Sequence, residues 1–153
     1  MAVRIERDEL TRPEVHQLLA DHLADMHATS PAESVHALDL SGLRRSDVTM
    51  WTLWDDDSVL GCAALRELTS DEGEIKSMRT VAESRGRGIG RQLLEHVIAE
   101  ARSRGYRRLS LETGAEDFFA PARRLYERHG FIECPPFGDY RIDPHSVFMT
   151  REL

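Results

Sequence analysis

Cysteines are scarce in this sequence, and long apolar runs are missing. The two cysteines, Cys62 and Cys134, lie in neither a CxxC motif nor a Cys/His spacing typical of metal ligands, so we expect reduced thiols in a cytoplasmic protein. The amino terminus, MAVRIERDEL, lacks the apolar core of a secretory signal, and no apolar stretch approaches the length of a membrane span. We therefore expect neither secretion nor membrane insertion.

Metal-ligand patterns and excess positive charge are missing as well. The seven histidines are scattered, and His16 and His22 are six residues apart on one predicted helix, an offset that does not place them on one face. We therefore expect no metal site. A net charge of −7 argues against general nucleic-acid binding, which depends on a basic surface. Lysine is almost absent, since Lys76 is the only one.

The composition is that of a globular domain. The chain has 153 residues, of which 41% are hydrophobic and 31% charged, enough to build one sizeable core. No repeat, linker or low-complexity segment interrupts it, so we expect a single domain over residues 1–153. The hydrophobic patterns predict the element order β-α-α-β-β-β-α-β-α-β-β, an α/β (mixed α+β) fold with a central sheet of six to seven strands.

The predicted elements have approximate bounds. Strands are expected at residues 3–6, 48–54, 59–68, 73–81, 108–112, from 131 onwards, and at 146–152. Helices are expected from about 11 to 27 with Pro13 at an early position, from 30 to about 42, from 89 to about 105, and from 118 to 130. The last strand, with Val147, Phe148 and Met149, is a candidate edge for pairing in a homodimer.

A glycine- and arginine-rich turn, residues 85–91 (RGRGIGR), lies between the strand at 73–81 and the helix that begins near Ile89. Its glycines allow the backbone to curl so that successive N–H groups converge on one point. The first N–H groups of the helix have no intrahelical partner, and the helix dipole is positive there. The turn therefore predicts a site for a phosphate or pyrophosphate. The surrounding arginines are Arg79, Arg85, Arg87 and Arg91.

The spacing of the turn narrows the choice of ligand. A Walker loop needs Gly-Lys-Ser/Thr, which Arg91-Gln92 does not supply, and the dinucleotide fingerprint would need glycine in place of Arg91. The pattern R/Q-x-x-G-x-G/A does fit, with Arg85, Gly88 and Gly90. A second segment, A-x-x-L-Y-x-x-x-G-F, begins at Ala122. Together these motifs, over roughly residues 73–131, resemble the GCN5-related N-acetyltransferase (GNAT) family.

The resemblance implies a three-layer fold, in which about four helices flank a mixed, twisted sheet. It also implies acetyl-coenzyme A (acetyl-CoA) as cosubstrate and no metal. In the family the pyrophosphate binds to the glycine-rich loop, and the pantetheine arm lies along the preceding strand and bonds to its backbone. The cofactor-binding residues implied here are Met78, Arg79, Thr80, Arg85, Gly86, Arg87, Gly88, Ile89, Gly90 and Arg91.

The resemblance also suggests the catalytic groups. Glu74 is the first candidate for the base, because the histone-modifying branch of the family has its glutamate eleven residues before the position of Arg85. Strand alternation predicts one face for Glu74, Lys76, Met78 and Thr80, where Lys76 would lower the pKa of Glu74. Glu112 is the alternative base. Tyr126 matches the tyrosine that protonates the leaving thiolate. Phe119 stands where the family often has Asn, so Asp117 or a backbone group would have to replace that cofactor contact.

The acceptor side is less specific. In the family the first two helices flank the acceptor, which makes Glu33, His36 and Asp39 candidates. The loop after the last helix adds Phe137, Asp139 and Tyr140, and its acidic groups suit a cationic amine. Arg141 and His145 would instead bind a carboxylate and favour an amino acid.

We therefore expect an N-acetyltransferase that transfers acetyl directly to a primary amine of a small molecule or amino acid. Neither cysteine has the neighbouring histidine and activating motif of an acyl-enzyme nucleophile, which favours direct transfer. The alternatives are a protein or peptide N-acetyltransferase and a non-catalytic acyl-CoA-binding sensor module.

Overall fold

The computed structural model describes residues 3–36 and 38–153. It confirms a mixed α+β fold with a seven-stranded sheet. Three short 3₁₀ turns, at Ala32–Ser34, Ala82–Ser84 and Asp117–Phe119, lie between the larger elements. The strands are β1 (Val3–Arg7), β2 (Val48–Asp55), β3 (Ser58–Thr69), β4 (Glu72–Thr80), β5 (Arg108–Gly114), β6 (Ile132–Glu133) and β7 (Ser146–Glu152). The helices are α1 (Pro13–Thr29), α2 (Leu40–Leu43), α3 (Ile89–Ser103) and α4 (Ala120–Arg128).

The sheet has the strand order β1-β2-β3-β4-β5-β7-β6. Its central pair, β4 and β5, is parallel, because the α3 crossover returns the chain to the same end of the sheet. The pairing of β4 with β5 runs only from Glu72–Arg108 to Ile75–Leu111, although both strands continue beyond it. The two strands therefore diverge and leave a cleft in the middle of the sheet.

Helices cover both faces of the sheet and complete the three layers. On one face, the predicted apolar stripe of α3 is buried from Ile89 to Ala101 in a core that includes Ile75 and Leu111. On the other face, α1 buries Val15, Leu18 and Leu19 against Trp54 and Cys62. The apolar stripe of each helix thus packs against the side chains on one face of the sheet. None of the helices in the described ranges is long and apolar enough to cross a membrane.

The second predicted helix, over residues 30 to about 42, is wrong. The structure instead has the 3₁₀ turn Ala32–Ser34 and, later, the single-turn helix α2. Asp39 explains the break, since its carboxylate accepts a hydrogen bond from the backbone N–H of Gly42 at 2.9 Å and so caps α2. Aspartate favours this capping position over a helix interior.

A bulge in β4 overturns the predicted face of Glu74, Lys76, Met78 and Thr80. Lys76 pairs with Ala64 and Arg79 pairs with Cys62, so β4 has one more residue than β3 between these two pairs. Ser77 lies in this bulge and has a φ of 51°. Beyond the bulge the alternation shifts by one residue. Met78 packs into the same core as Ile75, whereas Lys76 faces α1 and its neighbours. An added Cβ at Gly90 would lie 3.7 Å from Thr80 Oγ1, so Thr80 also faces α3.

The carboxy-terminal strand is not an edge of the sheet. It lies between β5 and β6, and β6 pairs with Thr150 and Met149. The backbone N–H of Cys134 also donates to the carbonyl of Phe148 at 2.8 Å. The prediction that β7 offers a free edge for dimer pairing is therefore wrong.

Candidate active site

The glycine-rich loop forms an open cradle before α3. Gly86 and Gly88 have φ values of 81° and 78°, the left-handed region that glycine adopts without strain. Gly88 is the N-cap of α3, and no side chain caps the helix there. An added Cβ at Gly86 or Gly88 would meet no atom within 4 Å, so the space beside both glycines is open. This local geometry fits the pyrophosphate of acetyl-CoA.

The helix start is held in place by its neighbours. Ile89 is buried in the core, which fixes the first turn of α3 against the sheet. An added Cβ at Gly90 would lie 3.2 Å from Leu125 Cδ2, so glycine allows α3 and α4 to approach closely. The cradle is therefore a local turn on a rigid base.

The arginines near the cradle fall into two groups. The side chains of Arg85 and Arg91 are 48% and 67% exposed, and Arg91 lies 3.8 Å from Glu95 of its own helix. Arg87 is exposed as well. Arg79 differs, because its buried guanidinium donates to Asp25 Oδ2 of α1 at 2.6 Å. Its side chain therefore ties the sheet to α1.

The divergence of β4 and β5 opens a cavity of about 90 Å³ in the middle of the sheet. Both predicted bases and the predicted acid line it, as do two residues of α1 that the sequence analysis did not select. These two residues, His22 and Met26, continue the apolar stripe of α1. The stripe was the only feature of the sequence that could have indicated their position. The main lining residues are His22, Met26, His36, Glu74, Lys76, Met78, Glu112, Phe119 and Tyr126.

Tyr126, the acid predicted from the sequence, lines the cavity from α4. It lies in the core, and its ring contacts Phe131 edge-on at a centroid distance of 5.9 Å. Burial, and next the charge of Glu112, raises the pKa of the Tyr126 hydroxyl. The hydroxyl therefore keeps its proton at neutral pH, as a general acid must.

Glu112 faces the same cavity from β5. Burial raises the pKa of its carboxyl group to about 7. Charged and neutral forms are therefore both well populated near neutral pH, which suits a residue that accepts and returns a proton.

Glu74 is surrounded more tightly than the sequence analysis expected. Its side chain is 1% exposed, and the Tyr140 hydroxyl donates to Glu74 Oε2 at 2.5 Å. The ion pair with Lys76 is present, with Nζ and Oε2 3.5 Å apart. Lys76 also donates to Tyr140 Oη at 2.8 Å and to the His36 carbonyl at 3.0 Å. The Glu74 carboxylate is thus engaged, whereas no cation among residues 3–36 and 38–153 lies within ion-pair distance of Glu112.

A larger cavity, of about 820 Å³, lies outside this cluster. Aromatic contacts build one wall, with Tyr140 5.0 Å from His36 and 5.1 Å from Phe137 between ring centroids. His36, Glu74 and Lys76 line both cavities and so form their junction. Of the other candidates from the sequence, Glu33, Asp139 and Arg141 line the outer cavity.

Two predicted acceptor residues have structural partners instead. Asp39 caps α2, as described above. His145 Nδ1 lies 3.2 Å from Glu116 Oε1, outside the residues that line either cavity. Neither side chain contributes to the junction.

Phe119 occupies the position at which the family that the sequence resembles often has Asn. Its ring lies on Gly114, where an added Cβ would be 2.0 Å from Phe119 Cδ2. The nearby carbonyls of Gly114 and Glu116 already accept hydrogen bonds from Arg123. Apolar contact with Phe119 therefore replaces an amide at this side of the cavity.

The fold and the site together define a class of protein. A cradle for a pyrophosphate leads into a cleft between two splayed parallel strands, and the cleft holds a protonated tyrosine opposite a carboxyl group of raised pKa. An acyl-CoA-dependent acyltransferase has to hold the pyrophosphate of acyl-CoA at one end and to place an acid and a base beside the thioester at the other.

Comparison with known proteins identifies the family. The Acetyltransferase (GNAT) family matches residues 12–131. The chain is 51% identical to the uncharacterized N-acetyltransferase YsnE of Bacillus subtilis (strain 168), over 99% of this chain and 100% of the relative. It is 37% identical to the IAA acetyltransferase of Azospirillum brasilense, over 99% and 98% of the two chains. A solved acyl-CoA N-acyltransferase of Klebsiella pneumoniae superposes with a TM-score of 0.83 at 30% identity, covering 99% of this chain and 97% of the other.

The chain belongs to the GNAT acetyltransferase family. It is an N-acetyltransferase, and acetyl-CoA is its acyl donor. No group of three or more His, Cys, Asp or Glu side chains in residues 3–36 and 38–153 is arranged to hold a metal ion.

Proposed function

We propose that this N-acetyltransferase transfers acetyl directly to a primary amine of a small molecule or amino acid. The observation that carries the proposal is the junction of His36, Glu74 and Lys76, where the outer cavity meets the cleft that holds Glu112 and Tyr126. An acceptor in the outer cavity reaches the thioester only past this junction.

Contacts across the acceptor side favour a small molecule over a peptide. Ser34 donates to Asp143 Oδ2 at 2.6 Å, which ties the segment after α1 to the loop before β7. Lys76 and Tyr140 add a second bridge through the His36 carbonyl and ring. An extended peptide would have to lie where these bridges cross, whereas a small amine fits within the cavity behind them.

Two groups in the cleft supply the acid–base chemistry of the proposal. Glu112 first accepts one proton from the acceptor ammonium, directly or through water, and the neutral amine nitrogen then attacks the thioester carbon. The carbon–nitrogen bond forms, the carbon–sulfur bond breaks, and the Tyr126 hydroxyl gives its proton to the departing thiolate. The second proton of the nitrogen restores the Tyr126 hydroxyl, and Glu112 releases its proton to water. Acetyl-CoA supplies the activated acyl group. Glu112 takes the role of base rather than Glu74, because the Glu74 carboxylate already binds Tyr140 and Lys76.

The cysteines support direct transfer. Cys62 is fully buried, burial raises the pKa of its thiol to about 12, and the thiol donates to the Ser77 carbonyl at 3.1 Å. Burial also raises the pKa of Cys134. Neither thiol is therefore activated as a nucleophile that would carry the acetyl group.

The site assignments rest on the same proposal. We propose that backbone groups of Met78, Arg79 and Thr80 hold the pantetheine arm, and that residues 85–91 hold the pyrophosphate. We also propose that residues 1–153 act as one domain, and a cytoplasmic location remains a prediction from the cysteine content.

Release of free coenzyme A tests the proposal. The purified protein is incubated with acetyl-CoA and with panels of small amines, amino acids and short peptides, and free thiol is measured over time. We expect turnover with members of the first two panels and loss of that turnover in Tyr126→Phe. Turnover with peptides alone would show that the acceptor proposal is wrong.

A further inference from the structure

The Glu74–Lys76 ion pair lies at the entrance to the reaction cleft. The two side chains are 1% and 8% exposed, and both line the outer acceptor cavity as well as the cleft between β4 and β5. A positive and a negative charge are thus held 3.5 Å apart on the route that an acceptor takes. Glu112 and Tyr126 lie on the inner side of the pair.

Burial of such a pair has an energetic cost that the fold has to offset. Removal of two charges from water is unfavourable, and only good geometry with additional hydrogen bonds offsets it. Lys76 has those bonds, to Tyr140 Oη and the His36 carbonyl, and Glu74 accepts one from Tyr140. An apolar pair would fill the same space without this cost, so packing alone does not account for the two charges.

Lys76 is also an unusual choice of cation in this chain. It is the only lysine, and arginine supplies every other permanently charged basic side chain. A lysine ammonium is compact and has three donors that rotate freely, so it can exchange one partner and keep the others. Lys76 can therefore turn from Glu74 towards an incoming anion while Tyr140 and His36 still hold it.

We propose that the acceptor is a zwitterionic amino acid, whose carboxylate binds Lys76 and whose ammonium binds Glu74. This inference rests on the proposed function and names its substrate class. An α-amino acid carries its two charges on one carbon, so their separation matches the buried pair, with each charge opposite its complement. The bound ammonium then lies beside Glu112, which accepts its proton. A simple amine would leave Lys76 without an anion to replace Glu74.

The test compares each amino acid with its own methyl ester and with its decarboxylated amine. Phenylalanine and leucine, their methyl esters, phenethylamine and isoamylamine are assayed with acetyl-CoA by thiol release, and kcat and KM are determined separately. The amine of an ester is less basic and more often neutral, so chemistry alone would favour the ester. We expect wild type to prefer the amino acid by about tenfold or more in kcat/KM, which corresponds to about 1.4 kcal/mol.

Two variants locate the carboxylate. We expect Lys76→Gln to remove the preference, mainly through a higher KM for the amino acids, while its affinity for coenzyme A stays at the wild-type value. Two arginines line the outer cavity, and Arg141 is the first competing cation, because Arg66 already lies 3.4 Å from Asp47 Oδ2. We expect Arg141→Gln to leave the ratio between acid and ester unchanged. Thermal unfolding of each variant reports whether it folds.

Other outcomes would overturn the inference. If wild type uses the esters or simple amines as well as the amino acids, the zwitterion proposal is wrong but the small-amine function stands, and this result needs no variant. If Arg141→Gln loses the preference for amino acids and Lys76→Gln keeps it, the carboxylate binds at Arg141 in the outer cavity. This result would contradict the role of Lys76. Absence of turnover with every small acceptor would overturn the proposed function itself.

Discussion

The loop that we propose to bind the cofactor and the junction that we propose to receive the acceptor are built in opposite ways. The loop is open, its amides come from consecutive residues, and its glycines have empty space above them. The junction is closed, and its groups come from β4, from the segment after α1 and from the loop before β7. A ligand common to a whole family can thus be bound by backbone in a short motif, whereas selection of one acceptor needs side chains brought together by the fold.

The two regions also differ in their electrostatics. Exposed arginines surround the loop, where water screens their charges and a phosphate can approach freely. At the junction, Glu74 and Lys76 are withdrawn from water, so each charge depends on its partner. We therefore expect changes at the loop to alter donor binding, and changes at the junction to alter acceptor use.

The largest effect is expected from Gly88→Glu in the loop. A residue with a Cβ in the left-handed region costs roughly 1–2 kcal/mol, and the new carboxylate would also repel the phosphates. We expect the dissociation constant of coenzyme A, measured by calorimetry, to rise on the order of 1,000-fold, about 4 kcal/mol. Gly105→Glu is the matched control, because Gly105 has a φ of 82° and open space at the other end of α3. Equal loss of affinity in both variants would contradict the role of the loop.

Tyr126→Phe is expected to separate donor binding from chemistry. The variant keeps the ring in the core but removes the proton donor, so kcat should fall about 100- to 1,000-fold while coenzyme A affinity is retained. Steady-state kinetics with the best small acceptor gives kcat. Tyr106→Phe is the control, since the Tyr106 hydroxyl donates to Glu67 at 2.8 Å and lies outside the cleft. A similar fall in kcat for Tyr106→Phe would show that the effect is structural.

Glu112→Gln is expected to change the pH dependence of the reaction. The pKa of Glu112 is raised to about 7, so its basic form dominates only above that pH, and wild-type kcat/KM should rise as the pH passes through 7. In the variant we expect kcat/KM about 100-fold lower at pH 8, without the step near pH 7. If the step persists in Glu112→Gln and disappears in Glu74→Gln, the base is Glu74.

The same shift in pKa affects stability. A carboxyl group whose pKa is raised by folding stabilises the folded state fully below its unfolded pKa, and this contribution is lost as the pH rises through 7. Glu112→Gln should therefore be more stable than wild type at pH 8 and closer to it at pH 5. Urea titrations at the two pH values measure the difference, and equal differences at both would argue against a raised pKa.

The smallest effect is expected from Tyr140→Phe at the junction. The change removes the hydroxyl that joins Lys76 to Glu74 but keeps the ring beside His36 and Phe137. We expect KM for the acceptor to rise about tenfold, since a hydrogen bond to a charged group contributes about 1.5–3 kcal/mol, while coenzyme A affinity is unchanged. A larger effect on coenzyme A than on the acceptor would contradict the division between the two regions.

Most of the fold was predictable from periodicity. The stripe of α3 reflects burial on one face, whereas β2 reads as a continuous apolar-rich run because seven of its eight residues are buried. The failures lie where one residue changes the local geometry. Asp39 caps a new helix instead of continuing an old one, and Ser77 adds one residue to β4.

The candidate site divides in the same manner. Residues 85–91 were recognisable because their conformation depends on adjacent glycines and a helix start. The engagement of Glu74 was not, since Tyr140 lies 66 residues further along the chain. The sequence also did not reveal that His22 lines the cleft. A histidine on the buried face of α1 follows the same periodicity as an apolar core residue, so the pattern does not distinguish the two.

The sequence by itself determined the family, the layered fold and the glycine-rich turn before α3, because these depend on local conformation and on one-sided burial. The tertiary structure alone decided that Met78 and Lys76 face opposite sides of the sheet, that Tyr140 joins the predicted pair of Glu74 and Lys76, and that Glu112 has a raised pKa. The reason is physical. The proton affinity of a carboxyl group and the partner of a charge depend on the dielectric and on the groups that surround them, and residues far apart in the chain supply those surroundings.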